Sequence, residues 1–343
     1  MATNTTGDIS YRTAGYVSRE MLKRGQPLLI VSRLGSSKPI PRNSSKTIKF
    51  RGYLPLSNTP KALTEGVTPT PSDIEFVDIV ANLVQYGDHV ELTDVLHDTH
   101  EDPLIPEFSG ILGEQSAQMI ENVTISKLLA GTNVIFNGAT SAGVLATDRD
   151  DVNKPISRAL QRRALRALKR QNAMPITSVV KASANFATSP VPASYIAVCS
   201  TDLESDIRDM EGFIPVEKYA SGSGMEGEIG SVEGVRYLTT TMMTPFEDAG
   251  GTPLSGTDVV STSGSVADVY PVFIFGKDAF GVTPFAKAAN GASPVTPMVL
   301  NPNVPRGGDP LGQRGTIGWK LLHTAEILHD FWMIRLEVAA SEL

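Results

Sequence analysis

The hydrophobic pattern predicts one helix that is much longer than any other in the chain. From Asp102 to Gly131, apolar residues recur at steps of three, four and seven, the period of a helix with one apolar stripe. The stripe contains Phe108, Ile111, Leu112, Met119, Ile120 and Val123. Asp102 suits the cap of this helix, Pro103 its first position and Gly131 a left-handed closing turn. The pattern predicts either a helix against which the other layers of the fold pack or an ordinary long helix of the core.

Alternating polar and apolar residues predict a β-hairpin before this helix. In KTIKFRGYL, residues 46–54, Ile48 and Phe50 alternate with polar neighbours, and SDIEFVDIV, residues 72–80, can form the return strand. The intervening segment 55–71 is rich in Pro, Thr and Gly, as loops are. Because an isolated hairpin is marginally stable in water, this one must lie on its own body or on a neighbouring molecule.

Shorter helices are predicted over 14–25, 92–100, 153–171 and 201–210. Thr93 is the expected cap of the second, Asn153-Lys154-Pro155 starts the third, and a capping box from Thr201 to Glu204 opens the fourth. The outer face of the third carries six cations: Arg158, Arg162, Arg163, Arg166, Lys169 and Arg170. A solvated surface is the expected role of such a face, and a nucleic-acid or subunit contact is the alternative.

The remaining apolar runs predict strands over 132–138, 194–200, 227–240 and 269–276. Residues 27–34 are either a strand or a buried segment, and 315–340 is predicted to form two antiparallel strands. One face of the last strand carries Trp332, Ile334, Leu336 and Val338. The Gly/Ser/Thr-rich segment 245–266 predicts a mobile surface loop.

Composition is that of a soluble globular protein with one large domain or two. The chain has 343 residues, 41% hydrophobic and 20% charged. No apolar run approaches the roughly 18 residues of a membrane span, and the first residues lack a signal-peptide pattern. Cys199 is the only cysteine, so intrachain disulfides are excluded and a reducing compartment is expected. The net charge of −7 argues against nucleic-acid binding by the whole surface.

Charge is segregated along the first third of the chain. Residues 33–61 contain no acid and seven cations: Arg33, Lys38, Arg42, Lys46, Lys49, Arg51 and Lys61. Residues 62–126 contain thirteen acids and no Lys or Arg. Pairing of Lys46, Lys49 and Arg51 with Asp73, Glu75 and Asp78 across the hairpin explains part of this pattern. The rest has no obvious local partner, and segments of opposite sign can also pair between copies of a chain.

No catalytic motif stands out. There is no GxxxxGK phosphate loop or GxGxxG fingerprint, and the Gly-rich segment 221–231 precedes a strand instead of joining a strand to a helix. Cys199 lies in an apolar strand, which indicates an inert thiol. The best metal candidate is the cluster Asp94, His97, Asp98, His100, Glu101 and Asp102. Its two His differ from HExxH spacing, and acids are ordinary at helix starts, so a solvated surface is favoured over a metal-dependent hydrolase.

Six stretches in sequence resemble the major capsid proteins of tailed bacteriophages, and more narrowly those of short-tailed phages related to the coliphage N-four. The resemblance covers about 14–340. The stretches are AGYVSREMLKRGQPLLIVSRLG, KTIKFRGYLPLS, QYGDHVELTDVL, GEIGSVEGVRYLTTTMM, VYPVFIFGKDAFG and DPLGQRGTIGWKLLHTAEILHDFWMIRLEVA.

The resemblance implies an α+β chain with the Hong Kong 97-type capsid fold. Its expected parts are an N-terminal arm (1–35), an extended hairpin loop (36–90), a peripheral domain (91–150 and 306–343, with the spine helix at about 103–130) and an axial domain (151–305). The implied function is a non-enzymatic major capsid protein that forms pentamers and hexamers of an icosahedral shell around double-stranded DNA. A nanocompartment shell of the same fold is an alternative.

The resemblance also implies partners and a location. Copies of the chain are the main partner, with scaffolding, portal and decoration proteins left open, at most non-specific contact with packaged DNA, and no membrane or cofactor. The chain would be assembled in the host bacterial cytoplasm and reside in the virion capsid. A basic loop reaching over the acidic part of the next copy is the expected contact. Its residues would be Arg33, Lys38, Arg42, Lys46, Lys49 and Arg51, against Asp94, Asp98, Glu101, Asp102, Glu107 and Glu114.

Overall fold

The computed structural model describes residues 21–342, with gaps at 22, 26–27, 40–45, 55, 58, 64, 67, 69–70, 100–103, 139–145, 179–190, 220–223, 254–257, 284–294, 303–304 and 306–307, and without the side chains of 97–99. The helices are α1 (Asp94–Thr99), α2 (Leu104–Leu128), α3 (Arg158–Arg170) and α4 (Glu204–Arg208). The first strands are β1 (Ser36–Ser37), β2 (Thr47–Tyr53), β3 (Phe76–Asn82), β4 (Val84–Thr93), β5 (Val134–Phe136), β6 (Tyr195–Ser200), β7 (Ile214–Pro215) and β8 (Glu228–Val232). The others are β9 (Val235–Thr240), β10 (Tyr270–Phe275), β11 (Phe280–Val282), β12 (Val295–Leu300), β13 (Arg314–His323), β14 (Ala325–Ile327) and β15 (Met333–Val338).

The largest layer is a seven-stranded mixed sheet in the order β5-β15-β10-β6-β9-β8-β7. Its central strands β6, β10 and β15 are buried along their whole length, as their unbroken apolar runs predict. Alternate residues of β6 enter different cores. Ala197 and Cys199 pack in the core that contains α3, and Ile196 and Val198 pack with the C-terminal end of α2. The sheet is therefore covered on both faces.

The spine helix α2 confirms the predicted long helix, with a different buried stripe. Ile111 is 56% exposed, and the buried positions include Gly113, Ala117 and Glu121. A Cβ at Gly113 would lie 2.5 Å from the carbonyl oxygen of Met21, so the absent side chain lets the arm backbone lie directly on the helix. This contact with the arm determines which face of the spine helix is buried, and the periodicity of the helix sequence alone did not predict it.

The end of the spine helix also differs from expectation. Gly131 does not adopt the predicted left-handed conformation. A Cβ there would lie 2.6 Å from the methyl carbon of Met333, so a side chain at this position would have to displace that methyl group. The expected capping residue, Asp102, and Pro103 lie outside the described residues.

Two predicted helix starts are wrong by a few residues. Helix α3 begins at Arg158 instead of Asn153, because the Ser157 side chain caps it by accepting the Leu160 N–H at 3.3 Å. A short 3₁₀ turn, Thr201–Leu203, precedes α4, and its cap is Ser200 instead of Thr201. Helix α1 follows the prediction, since the Thr93 hydroxyl accepts the Leu96 N–H at 3.3 Å.

The predicted antiparallel pair at 315–340 is wrong, because the segment crosses three sheets. Strand β13 pairs with β12 and β4 in a three-stranded sheet against the spine helix. Strand β14 pairs with β11, and β15 pairs with β10 and β5. The predicted face of β15 is confirmed, since Ile334, Leu336 and Val338 are buried in one core.

Two loosely assigned segments are anchored to the body. Leu29 and Val31, within 27–34, are buried without forming a strand. The segment predicted as a surface loop, 245–266, bonds to the core where the Val260 N–H donates to the Ala340 carbonyl at 2.9 Å. Of the helix predicted over 14–25, residues 14–20 lie outside the described part of the chain.

Candidate subunit-contact surfaces

The hairpin formed by β2 and β3 confirms the predicted pairing and has two different faces. On one face, Ile48, Phe50 and Ala81 are buried, and the Phe50 ring rests on the backbone of Gly281, where a Cβ would come within 2.6 Å. This contact holds the hairpin on the body. Because residues directly opposite in a ladder share a face, the other face pairs Lys49 with Val80, Arg51 with Asp78 and Tyr53 with Phe76.

The solvent face of the hairpin combines aromatic and basic groups. Tyr53 is 69% exposed and Phe76 is 53% exposed, and the two rings meet edge to face at 6.5 Å. Aromatic side chains and Arg are enriched at protein interfaces relative to the rest of the surface. This face is therefore suited to contact with another molecule.

One cation of this face is already neutralised within the hairpin. Arg51 donates two hydrogen bonds to the Asp78 carboxylate, at 2.7 and 2.8 Å, and lies 4.3 Å from the Phe76 ring centre. These bonds lower the pKa of Asp78 below its ordinary value. The cross-hairpin pairing considered from sequence thus exists for this pair and reduces the charge that Arg51 offers to a partner.

The other predicted basic residues differ in how free they are. Arg33 pairs with Glu226 of the same chain, and Lys38 donates to the Lys49 backbone carbonyl. Lys46 and Lys49 are exposed, and within the described ranges neither has an ion-pair partner. Arg42 lies outside the described residues. The hairpin therefore keeps two lysines available for an external acid.

On the acidic side, the spine helix and α1 each carry acids next to exposed apolar groups. Glu107, Ile111 and Glu114 recur at helical spacing on the spine helix, where Arg24 of the arm lies 3.7 and 3.8 Å from the two carboxylates. In α1, Asp94 receives the Val95 N–H at 2.8 Å, and the Val95 side chain is 64% exposed. We call the described residues Asp94, Val95, Leu96, Glu107, Ile111 and Glu114 the acidic shoulder. The side chain of Asp98 and the residues Glu101 and Asp102 lie outside the described set.

A further exposed surface was not predicted from sequence. The outward face of the β12-β13-β4 sheet is an open trough of about 660 Å³, floored by Gly87 and Gly318 and flanked by Met298 and Leu300. Strand glycines at which a ligand or backbone approaches closely are the sequence signal that could have indicated it.

Two described side chains with reactive groups, Cys199 and His323, are buried. Within the described ranges no three His, Cys, Asp or Glu residues are grouped as metal ligands, while His97, His100 and their acidic neighbours fall in the part without described side chains. Burial raises the pKa of the Cys199 thiol, which keeps it protonated and unreactive. His323 is buried between the hydroxyls of Thr124 and Thr283.

No helix among the described residues is long and apolar enough to cross a membrane.

Comparison with known proteins identifies the family. A family model described as "Phage capsid protein" matches residues 76–328, most of the chain. No curated protein matches the sequence at a significant level.

Solved structures with a similar fold are phage capsids. The capsid of Ralstonia phage GP4 is 14% identical with a TM-score of 0.63, covering 91% of this chain and 86% of that one. The cyanophage Pam1 capsid is 12% identical with a TM-score of 0.56, covering 93% of each chain. The capsid of cyanophage P-SCSP1u is 15% identical with a TM-score of 0.55, covering 91% and 89%. The Hong Kong 97-type capsid fold is thereby confirmed, and the chain belongs to the phage capsid protein family.

Proposed function

We propose that this capsid protein is the major shell subunit, which assembles into the pentamers and hexamers of an icosahedral head around double-stranded DNA. The observation that carries the proposal is the hairpin, whose solvent face leaves Tyr53 and Phe76 exposed. A monomer gains nothing from exposing two paired aromatic rings, whereas burying them stabilises association by about 25 cal/mol per Å² of apolar surface. The proposed partner surface is the acidic shoulder of the next copy.

Charge and exposed apolar surface both favour this pairing. The shoulder offers three acids for the free Lys46 and Lys49, of which Glu107 and Glu114 share one intrachain cation, Arg24, and Asp94 is the third. It also offers exposed apolar groups for the rings. A hairpin that binds a different surface on the next copy makes a heterologous contact, and such contacts close into rings when the rotation allows. Opposite charges mainly speed encounter and fix the register of the contact.

The remaining parts of the proposal follow from this role. The arm (1–35), extended loop (36–90), peripheral domain (91–150 and 306–343) and axial domain (151–305) are the proposed division of the chain. The protein would assemble in the host cytoplasm without catalysing a reaction, and scaffolding, portal and decoration proteins would bind the assembled shell. Arg33, Lys38, Arg42 and Arg51 would lie at the edge of the contact, with Asp98, Glu101 and Asp102 opposite.

The test uses charge reversal and rescue. We expect Lys46→Glu/Lys49→Glu to abolish closed shells in electron microscopy while circular dichroism stays unchanged. Arg51 is left intact, because its reversal would also break the pair with Asp78 inside the hairpin. The control, Lys218→Glu/Lys277→Glu, changes net charge equally at exposed positions outside the hairpin and should assemble normally.

The second arm reverses the acidic side. Adding Glu107→Lys/Glu114→Lys to the hairpin variant, together with Arg24→Glu so that the ion pairs with the arm are kept in reversed sign, should restore shells, since the two charged surfaces are then exchanged in sign. Normal shells from the hairpin double variant alone would contradict the proposed contact. Absence of shells from the wild-type chain under all assembly conditions would contradict the proposed function itself.

A further inference from the structure

Helix α3 has a concentration of positive charge that the shell contact does not use. Its sequence, RALQRRALRALKR, contains six cations and no acid, on a chain whose net charge is −7. The apolar side of the helix, with Leu160, Ala164 and Leu168, is buried against the seven-stranded sheet. The helix is therefore fixed in one orientation, and its cations are held on the outer surface.

Two of the six cations are neutralised within the chain. Arg158 and Arg162 both donate to the Glu233 carboxylate, at 2.8 and 2.6 Å, and Arg158 also pairs with Glu211. The hydrogen bonds from Arg162 and Arg158 lower the pKa of Glu233 to about 2. This cluster holds the N-terminal half of the helix on the turn between β8 and β9.

The other four cations are exposed without such partners. No carboxylate among the described residues forms an ion pair with Arg163, Arg166, Lys169 or Arg170. Positions three, four and seven residues apart lie on neighbouring parts of one helix face, so the four form a single patch about 10 Å long at 1.5 Å per residue. Arg166, Lys169 and Arg170 line an open groove of about 430 Å³ beside Glu233.

The position of the patch separates it from the surfaces proposed to join copies. Helix α3 covers the face of the sheet towards which Ala197 and Cys199 point, whereas the end of the spine helix covers the opposite face. The base of the hairpin packs on Gly281 in β11, whose neighbours Phe280 and Val282 belong to the spine-side core. Within one subunit, the patch therefore lies on the opposite side of the sheet from the base of the hairpin and the end of the spine helix.

We propose that the exposed face of α3 binds the phosphate backbone of duplex DNA without sequence specificity. Duplex DNA carries about one negative charge per 1.7 Å of its axis, so a patch of this length faces several phosphates at once. Exposed Arg side chains present paired donors to phosphate oxygens, and three of the four free cations are Arg. The inference rests on the proposed function, since the polyanion inside such a shell is the packaged genome.

Binding by the unassembled subunit tests the assignment. Titration of a short duplex DNA across about 50–200 mM salt should give weak binding, with a Kd on the order of 10⁻⁴ to 10⁻⁶ M near physiological salt. Arg166→Gln/Arg170→Gln keeps good helix formers and should reduce the log–log salt slope by about 1.8, or 0.9 for each lost phosphate contact. The control Lys218→Gln/Lys277→Gln removes the same charge elsewhere and should keep the wild-type slope.

Three results would overturn the assignment. The first is the absence of DNA binding by the wild-type subunit at low salt. The second is a salt-dependence slope in Arg166→Gln/Arg170→Gln equal to that of the wild type. The third is a reduction of this slope in the control variant as large as that in the α3 variant. Electron microscopy of the same variants provides the second measurement, and the α3 variant should still form closed shells. Loss of shells would assign the patch to a contact between copies instead of DNA. Failure of the wild type to form shells, with the slope difference intact, would contradict the proposed function alone.

Discussion

Substitution of Glu121 is the most direct test of how the arm is held on the spine helix. Its side chain is fully buried, and its carboxylate accepts the Val31 N–H at 2.9 Å, the Ser32 N–H at 3.0 Å and the Ser32 hydroxyl. Burial raises the pKa of Glu121, against the opposing effect of the hydrogen bonds from Ser32 and Val31. The carboxylate thus accepts the backbone N–H groups of this part of the arm, which would otherwise need acceptors in a strand or helix.

Glu121→Ala should destabilise the subunit by about 2–6 kcal/mol. The substitution leaves two buried backbone N–H groups without acceptors, and each costs about 1–3 kcal/mol. The Ser32 hydroxyl can rotate and adds little. Glu121→Gln keeps the shape and one acceptor oxygen but turns an NH₂ group towards a donor, so a smaller loss of about 1–3 kcal/mol is expected.

The measurement has a global and a local part. Denaturant unfolding of the unassembled subunit gives the free energy, and hydrogen exchange reports the amides of Val31 and Ser32. Both amides should exchange much faster in Glu121→Ala, while those of the central strand β10 stay protected. Gln118→Ala, an exposed position on the same helix, is the control and should change neither quantity by more than about 0.5 kcal/mol. Unchanged protection of the two amides in Glu121→Ala would refute the anchoring role.

Three further changes test other parts of the fold. Burial lowers the pKa of His323 to about 4, whereas the unfolded chain takes up this proton at about pH 6.5. Between these two values, only the unfolded state is protonated, so acidification favours unfolding. From pH 7 to pH 4.5, the free energy of unfolding should therefore fall by about 2–3 kcal/mol more in the wild type than in His323→Gln. Glu337→Ala leaves the guanidinium of Arg149, now bonded at 2.6 and 2.7 Å, without its buried partner, and denaturant unfolding should show a loss of about 3–5 kcal/mol. Gly113→Ala should displace the arm at Met21, seen as faster proteolysis of the arm with the sheet intact. The three predictions would be contradicted, in turn, by a His323→Gln variant with the pH dependence of the wild type, a Glu337→Ala variant with its stability, and a Gly113→Ala variant whose arm is cleaved at its rate.

Local patterns predicted the elements whose partners are close in sequence. The two strands of the hairpin followed from alternation on both sides of one loop, whereas the register that places Arg51 opposite Asp78 came only from the structure. The long helix was placed within a few residues because its period extends over several turns. In both cases, the residues that determine the element lie within the element itself.

Long-range contacts could not be predicted in this way. Strands β13 and β15 are close in sequence but bond to partners far away, so adjacency suggested a pair that does not exist. Glu121 counted as one of thirteen acids in an acidic segment, and only the arm folded onto the helix makes it a buried acceptor. Ile111 fitted the apolar stripe but is exposed, because the small residues Gly113 and Ala117 face the interior.

A near-atomic electron microscopy reconstruction of shells assembled from the wild-type chain tests subunit tiling by the hairpin most directly. The expected map shows Tyr53 and Phe76 of one copy packed on the Ile111 side of the next copy's spine helix, with Lys46 and Lys49 near its carboxylates. A shell in which both rings point into solvent, or a chain that stays monomeric at high concentration, would contradict it.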